Sequence, residues 1–290
     1  MSAQTSFTTG ALPQQMGVLG GGRMGAGIAH AFLTSGSTVL VVERDDEAAQ
    51  AAYERVAGSV DKSIARGQIS ESREELLSRF STSTDYEQFA SAQLVVEAVP
   101  EIWDLKVSSL QAVEQALNAE AVLASNTSSL SVSGLAKELQ RPANFLGLHF
   151  FNPVPASTLI EVVIGKQTDK TLVDASRGWV QALGKTAVVV NDAPGFASSR
   201  LGVAIALEAM RMVEDGVASA EDIDNAMVLG YKHPTGPLKT TDIVGLDVRL
   251  GIAQYLHETL GERFAPPQIL KDLVAQGKLG RKTGQGFYSW

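Results

Sequence analysis

Two residues give this sequence a place where a proton could be moved. His149 lies near the end of the apolar run Asn144-Phe145-Leu146-Gly147-Leu148-His149-Phe150-Phe151, and Glu161 is the only charge in Leu159-Ile160-Glu161-Val162-Val163-Ile164. A carboxylate in a buried strand is costly unless a partner meets it, and an imidazolium is a fitting one. If Glu161 accepts a hydrogen bond from one ring nitrogen of His149, it fixes the tautomer and leaves the other nitrogen to take a proton. Such a pair is the general base that oxidation of an alcohol needs, because a proton leaves oxygen as hydride leaves carbon. Without Glu161 the simplest reading of His149 is a satisfied core histidine. Ser128, in the turn Asn126-Thr127-Ser128-Ser129, could hydrogen-bond the reacting oxygen, or cap a helix ahead of Leu130. No G-x-S-x-G elbow accompanies it, so the three residues are not an acyl-transfer triad.

A hydride acceptor is suggested further upstream. Met16-Gly17-Val18-Leu19-Gly20-Gly21-Gly22-Arg23-Met24-Gly25-Ala26-Gly27-Ile28-Ala29 reads as a buried strand running through a glycine turn into a helix. Gly20, Gly22 and Gly25 fit G-x-G-x-x-G: a sharp turn, a close approach to a pyrophosphate, and tight helix-on-strand packing with the helix N-terminus facing the phosphates. Arg23 and Met24, inside the turn, join the glycines as cofactor-binding positions. The next β-branched run, Ser37-Thr38-Val39-Leu40-Val41-Val42, ends at Glu43, placed where a carboxylate grips the adenosine ribose hydroxyls. That acid favours NAD over NADP by repelling a 2′-phosphate. Arg44 beside it is the opposing feature, since an arginine there can accept one.

The elements that must position these groups follow in order. Residues 46–65 read as a helix, 66–68 as a turn, and a second helix opens at Ser70 with a capping-box-like Ser70-Glu71-Ser72-Arg73-Glu74, a paired excursion that is either a solvated arm or a ligand contact. Strands are expected over 94–99, 121–125, 144–151, 159–164 and 185–190, with helices over 102–117 and around Ala175. This alternation argues for an α/β fold with a parallel, doubly wound sheet, which would set Glu101, Ser128 and His149 along one edge, beyond the carboxyl ends of the strands. After Asn191-Asp192-Ala193-Pro194-Gly195 the pattern turns all-helical, over 196–215, 219–229, 242–260 and 267–276. The expected organisation is a flexible tail over 1–15, a nucleotide-binding domain over 16–192 and a helical domain over 193–290.

Composition closes off other chemistries. The 290 residues carry a net charge of -8, no cysteine and four histidines. Disulfides and thiolate metal sites are excluded, no metal is expected, and nothing suggests an electrostatic footprint for nucleic acid or an anionic membrane. His30 and His257 fall inside amphipathic helices and His233 in a connection, so all three read as structural or surface residues. No run approaches the roughly 20 apolar residues of a membrane span, and residues 1–15 lack a signal-peptide pattern, so a cytoplasmic protein is expected.

Several blocks together resemble the 3-hydroxyacyl-CoA dehydrogenase family, especially its bacterial 3-hydroxybutyryl-CoA members. They are the glycine stretch Gly20 to Ala29, Val96-Glu97-Ala98-Val99-Pro100-Glu101, Ser125-Asn126-Thr127-Ser128-Ser129-Leu130, Leu148-His149-Phe150-Phe151-Asn152-Pro153-Val154, Pro194-Gly195-Phe196, and Lys282-Thr283-Gly284-Gln285-Gly286-Phe287-Tyr288. The likeness runs from about residue 16 to the C-terminus. It implies a Rossmann domain joined to a helical dimerisation domain, with substrate held in the cleft between them, and a homodimer. It makes His149 the catalytic base, Glu161 its orienting partner and Ser128 the hydrogen-bonding hydroxyl. It sets Glu101, Lys106, Ser128, Asn152 and Lys282 around NAD, and Ser59 and Arg66 along bound coenzyme A. Ser199 stands where the family commonly has asparagine, implying retained activity with altered contact to the acyl carbonyl or thioester; Arg66 replaces a usual lysine and keeps its charge. Two other functions stay open: a dehydrogenase of a hydroxy acid not joined to coenzyme A, and a non-catalytic NAD-binding protein. The Ser128, His149 and Glu161 set argues against the second.

Overall fold

The computed structural model describes residues 10–290, which divide into two compact units, one ending at Asp192 and one beginning at Ala193. Residues 1–9 of the expected tail lie outside the described residues. Of the remainder, Leu12 packs on the core, the Pro13 carbonyl accepts a 2.7 Å hydrogen bond from the Ser37 hydroxyl, and Gln15 already opens the first strand.

In the first unit the chain runs β1 (Gln15–Leu19), α1 (Arg23–Thr34), β2 (Thr38–Val42), α2 (Asp46–Ala65), α3 (Arg73–Leu77), β3 (Phe80–Ser83), β4 (Leu94–Glu97), α4 (Trp103–Ala116), β5 (Val122–Ser125), α5 (Val132–Lys137), β6 (Phe145–Phe150), β7 (Leu159–Ile164), α6 (Lys170–Ala182) and β8 (Thr186–Asn191). The strands form one sheet in the order β3-β2-β1-β4-β5-β6-β7-β8. The order reverses between β1 and β4, which is where a doubly wound sheet binds its ligand. Val18, Val41, Val96, Ile28 and Phe32 are wholly or almost wholly buried between sheet and helices. Each such side chain contributes on the order of 2 kcal/mol by leaving water. No helix among the described residues is long and apolar enough to cross a membrane.

The structure corrects the sequence reading at four points in this unit. The sheet is not wholly parallel: β6 and β7 pair antiparallel, because the link over residues 151–158 is too short for a helical crossover, which needs about a dozen residues. β3 was not expected; it pairs with β2 as a short polar edge strand. The helix placed at Ser70 begins at Arg73, with the capping box formed by Ser72 and Glu75. Ser128 is not a helix cap, since Ser131 caps α5 by accepting from the Gly134 amide.

The second unit is helical: α7 (Ser198–Glu214), α8 (Ala220–Asn225) followed by a π-turn at Ala226–Gly230, α9 (Pro237–Val244), α10 (Leu246–Leu260) and α11 (Gln268–Ala275). Leu207, Met210, Leu238, Leu246, Leu256 and Leu270 make its core. The single helix expected over 242–260 is broken by Gly245, which sits at φ +108, and α9 ahead of the break was missed. Asp242 ties the C-terminal segment down by accepting from the Phe287 and Tyr288 amides and the Trp290 indole.

Candidate active site

The glycine turn is built to take a dinucleotide phosphate. Gly20 turns the chain at φ +90, and a Cβ on Gly25 would run into the Gly20 carbonyl, so α1 can approach β1 this closely only with glycine there. The space a Gly22 side chain would fill is open, no side chain caps the N-terminus of α1, and its first turn holds no acid. Arg23 is exposed beside it, while Met24 packs partly into the core. These features fit an anion at the helix N-terminus. Glu43, just past β2, accepts from the Gly21 amide at 2.6 Å, which fastens its carboxylate beside the turn. Arg44 is turned to Asp45 at 2.8 Å, so the arginine that could have welcomed a 2′-phosphate is already engaged by a neighbouring carboxylate.

β4, β5 and β6 lie side by side and parallel, so their carboxyl ends bring Glu101, Ser128 and His149 to one edge. His149 and Glu161 stand directly opposite each other in the antiparallel β6 and β7 pair, on the same face. His149 Nδ1 lies 2.7 Å from Glu161 Oε2, with both residues buried. A carboxylate can only accept, so Nδ1 carries the hydrogen and the ring's lone pair lies on Nε2. The Phe151 ring packs against the imidazole at 4.5 Å between centroids. Asn126 Oδ1 accepts from the Phe150 amide at 2.8 Å, fastening the serine turn to the strand that carries His149.

Ser128 is held by Glu101. Oε1 of Glu101 accepts from the Ser128 amide at 2.8 Å, the Thr127 hydroxyl at 2.6 Å and the Ser129 amide at 3.0 Å, and the Ser128 hydroxyl lies 3.3 Å away. Burial alone would push the Glu101 carboxyl up, but the Lys106 ammonium and these donors outweigh it and hold the group below the ordinary glutamate range. At the far end of the turn, Asp192 accepts from the Ser131 hydroxyl at 2.7 Å and the Ser133 amide at 2.8 Å.

Sequence reasoning missed Glu97. It is fully buried at the end of β4, where Oε1 accepts from Lys106 Nζ and the Val99 amide, each at 2.7 Å, and Oε2 accepts from the Ser125 hydroxyl at 2.6 Å. The signal was present: Glu97 is the lone charge in an apolar strand, the pattern that singled out Glu161. Lys106 itself is only 1% exposed and also meets Glu101 Oε2 at 3.2 Å, so its ammonium is enclosed between the two carboxylates.

The remaining candidates are more scattered. Ser59 and Arg66 sit two helical turns apart on α2, Ser59 bonded to the Arg55 carbonyl and Arg66 exposed at the C-cap. Asn152 is exposed just past β6. In the second unit, Ser199 occupies the first turn of α7, and Lys282 is gripped by both oxygens of Asp247 at 2.6 and 2.7 Å. His30 and His257 make side-chain bonds to Ser63 and Glu262.

Residues 15–193 match the 3-hydroxyacyl-CoA dehydrogenase NAD binding domain and residues 195–290 the C-terminal domain of the same family. A probable 3-hydroxybutyryl-CoA dehydrogenase of Deinococcus radiodurans is 40% identical, over 95% of this chain and 100% of that protein. The 3-hydroxybutyryl-CoA dehydrogenase of Mycobacterium tuberculosis is 38% identical, over 96% of this chain and 98% of its own. A crystal structure of (S)-3-hydroxybutyryl-CoA dehydrogenase from Ralstonia eutropha superposes with a TM-score of 0.92 at 37% identity, covering 96% of this chain and 99% of that one.

Proposed function

This chain belongs to the 3-hydroxyacyl-CoA dehydrogenase family, and from that premise we propose that it interconverts (S)-3-hydroxybutyryl-CoA and acetoacetyl-CoA with NAD. The observation that carries the reading is the buried His149 and Glu161 pair at 2.7 Å, set on the carboxyl edge of the sheet that also holds the glycine turn. The short acyl chain rests on the names of the relatives.

NAD would supply the hydride acceptor; the N-terminus of α1 would hold its phosphates and Glu43 its adenosine ribose. With adenosine held on the β2 side, the nicotinamide half would fall toward β4 and β5, across the point where strand order reverses. There the Ser128 hydroxyl hydrogen-bonds the substrate's C3 oxygen and fixes the carbon that loses hydride. His149 Nε2 takes the hydroxyl proton, and the adjacent Glu161 carboxylate stabilises the resulting imidazolium. In reduction the same imidazolium returns the proton to oxygen. Glu101 keeps the serine turn in place throughout, and Ser59 with Arg66 on α2 contacts coenzyme A, the guanidinium meeting a phosphate.

We also propose a homodimer. Leu201 is 63% exposed and Ile205 39% exposed on one face of α7, more apolar surface than a solvated helix needs.

Reduction of acetoacetyl-CoA by NADH, followed by NADH absorbance, tests the reaction. Preferential reduction of free acetoacetate would favour a dehydrogenase of acids not joined to coenzyme A. Tight NADH binding without turnover of either would leave a non-catalytic protein.

A further inference from the structure

Glu97 is a fully buried carboxylate that the reaction as described does not use. Its oxygens face donors only, the Lys106 ammonium, the Val99 amide and the Ser125 hydroxyl, which is the bonding pattern of an ionised carboxylate. Lys106 is thereby shared between two carboxylates, Glu97 at 2.7 Å and Glu101 at 3.2 Å. One ammonium against two carboxylates leaves the cluster with one net negative charge. The Glu97 and Lys106 side chains are at most 1% exposed and that of Glu101 is 33% exposed, so solvent reaches the cluster only from the Glu101 side and screens its charge in part. It stands at the ends of β4 and β5, on the side of the strand-order reversal that the proposed binding mode gives to the nicotinamide half of the cofactor.

We propose that Glu97 is a positioning and charge-setting residue that biases the bound cofactor toward its oxidised form. The oxidised nicotinamide ring carries a positive charge and the reduced ring carries none. A fixed negative charge beneath it lowers the free energy of the oxidised form and leaves the reduced form almost unaffected. A lysine paired with a single carboxylate would cancel its field; the second carboxylate restores a net charge. The same Glu97 also fastens Ser125, so the strand end leading into the serine turn and the local charge are set by one side chain.

The inference rests on the NAD reading of the first unit and on the nicotinamide lying over β4 and β5; it does not depend on which acyl group is oxidised. The full chain is titrated by calorimetry with NAD and with NADH, and the ratio of the two dissociation constants is compared among variants. Glu97→Gln neutralises the cluster, and the NAD to NADH ratio of dissociation constants is expected to rise about three- to tenfold. Lys106→Met makes the cluster more negative and lowers the ratio by a similar factor. The double variant removes the buried pair together, regains the original net charge, and returns the ratio to that of the unsubstituted chain. A purely structural role for Glu97 would make the double variant no closer to the original than the single ones. If Glu97→Gln does not fold, Lys106→Met compared with the double variant reads the same glutamate charge, and the ratio must rise between them. A folded Glu97→Gln with an unchanged ratio, or a double variant displaced as far as Glu97→Gln, overturns the inference. An unsubstituted chain that binds neither cofactor overturns the NAD reading beneath it, and one that binds both but ignores acetoacetyl-CoA overturns only the acyl-CoA assignment.

Discussion

At the scale of single residues, the reading turns on whether His149 moves a proton. His149→Gln is expected to cut kcat at least about 10²-fold while leaving the dissociation constant for NAD nearly unchanged, because the imidazole acts on the substrate hydroxyl and not on the glycine turn. Glu161→Gln acts through the same imidazole. A neutral partner no longer stabilises the imidazolium formed in the reaction, so kcat should fall with the chain still folded. The double variant should lose far less than the product of the two single losses, since both disable one unit. Fully multiplicative losses, or near-native kcat in His149→Gln, would return His149 to the standing of a core histidine. Cofactor choice is expected to turn on Glu43: its carboxylate is fastened to the Gly21 amide and Arg44 is engaged by Asp45, so kcat/KM with NAD should exceed that with NADP. Equal values would mean Arg44 outweighs the acid. These residues were legible because each breaks a pattern, a charge in an apolar strand or glycines at fixed spacing. Glu97 breaks the same pattern, but its partner Lys106 lies on a helix nine residues on, and helical lysines are ordinarily solvated, so nothing in the sequence marked them as a buried pair.

At the scale of elements, α1 is joined to α2 by one buried polar contact, His30 Nε2 to the Ser63 hydroxyl at 3.0 Å. Burial, with the Lys185 charge as a second cause, holds His30 below its ordinary value of 6.5. The folded chain therefore keeps His30 neutral at a pH where the unfolded chain protonates it. As pH falls through 6.5 toward the lower folded value, the unfolded state binds more protons and stability is lost. Thermal melts from about pH 7 to about pH 5 should show Tm falling, with a shallower slope in His30→Gln. Identical slopes would assign the loss to other groups. The α2 arm also bears Arg66, and Arg66→Ala should raise KM for the acyl-CoA with little change in kcat, since a phosphate contact remote from the reacting carbon contributes uniform binding. The long apolar strands and helices of the sheet could be read directly from their periodicity. β3 could not, because Phe80-Ser81-Thr82-Ser83 has one apolar side chain and gains its strand character only by pairing with β2. The antiparallel turn of β7 could have been read: Leu159 to Ile164 is buried on both faces and does not state its direction, but the short link from the strand expected to end at residue 151 already rules out a helical crossover. Gly245 could have been read as a helix break, but it lies inside a run whose periodicity continues on both sides, and only its positive φ reveals two helices.

At the scale of the whole molecule, the expected association can be argued from what the second unit leaves uncovered. Leu201 and Ile205 lie one turn apart on α7, both exposed, while Val203 and Leu207 on its other side are buried in the helical core. Beside them the Arg249 side chain packs against Gly202; the residue is only 8% exposed, and its Nε finds no acceptor among the described residues. A buried Nε–H without an acceptor costs on the order of 1–3 kcal/mol, and an apolar face beside it adds to the cost of leaving the surface in water. A second copy of the chain could cover the apolar face and supply the missing acceptor in one contact. Sedimentation at micromolar concentration should then give about twice the 30.7 kDa chain mass. Leu201→Asp with Ile205→Asp should shift the mass to that of a single chain while the far-ultraviolet helical signal persists, because neither residue belongs to the buried core of its own unit. Arg249→Met should do the opposite of a surface substitution: it removes the unsatisfied Nε–H, so the separated chain becomes more stable, and the dimer weakens only to the extent that a partner acceptor had answered that group. A mass near 30.7 kDa for the unsubstituted chain would show that these side chains stay exposed and that association is not what α7 is for.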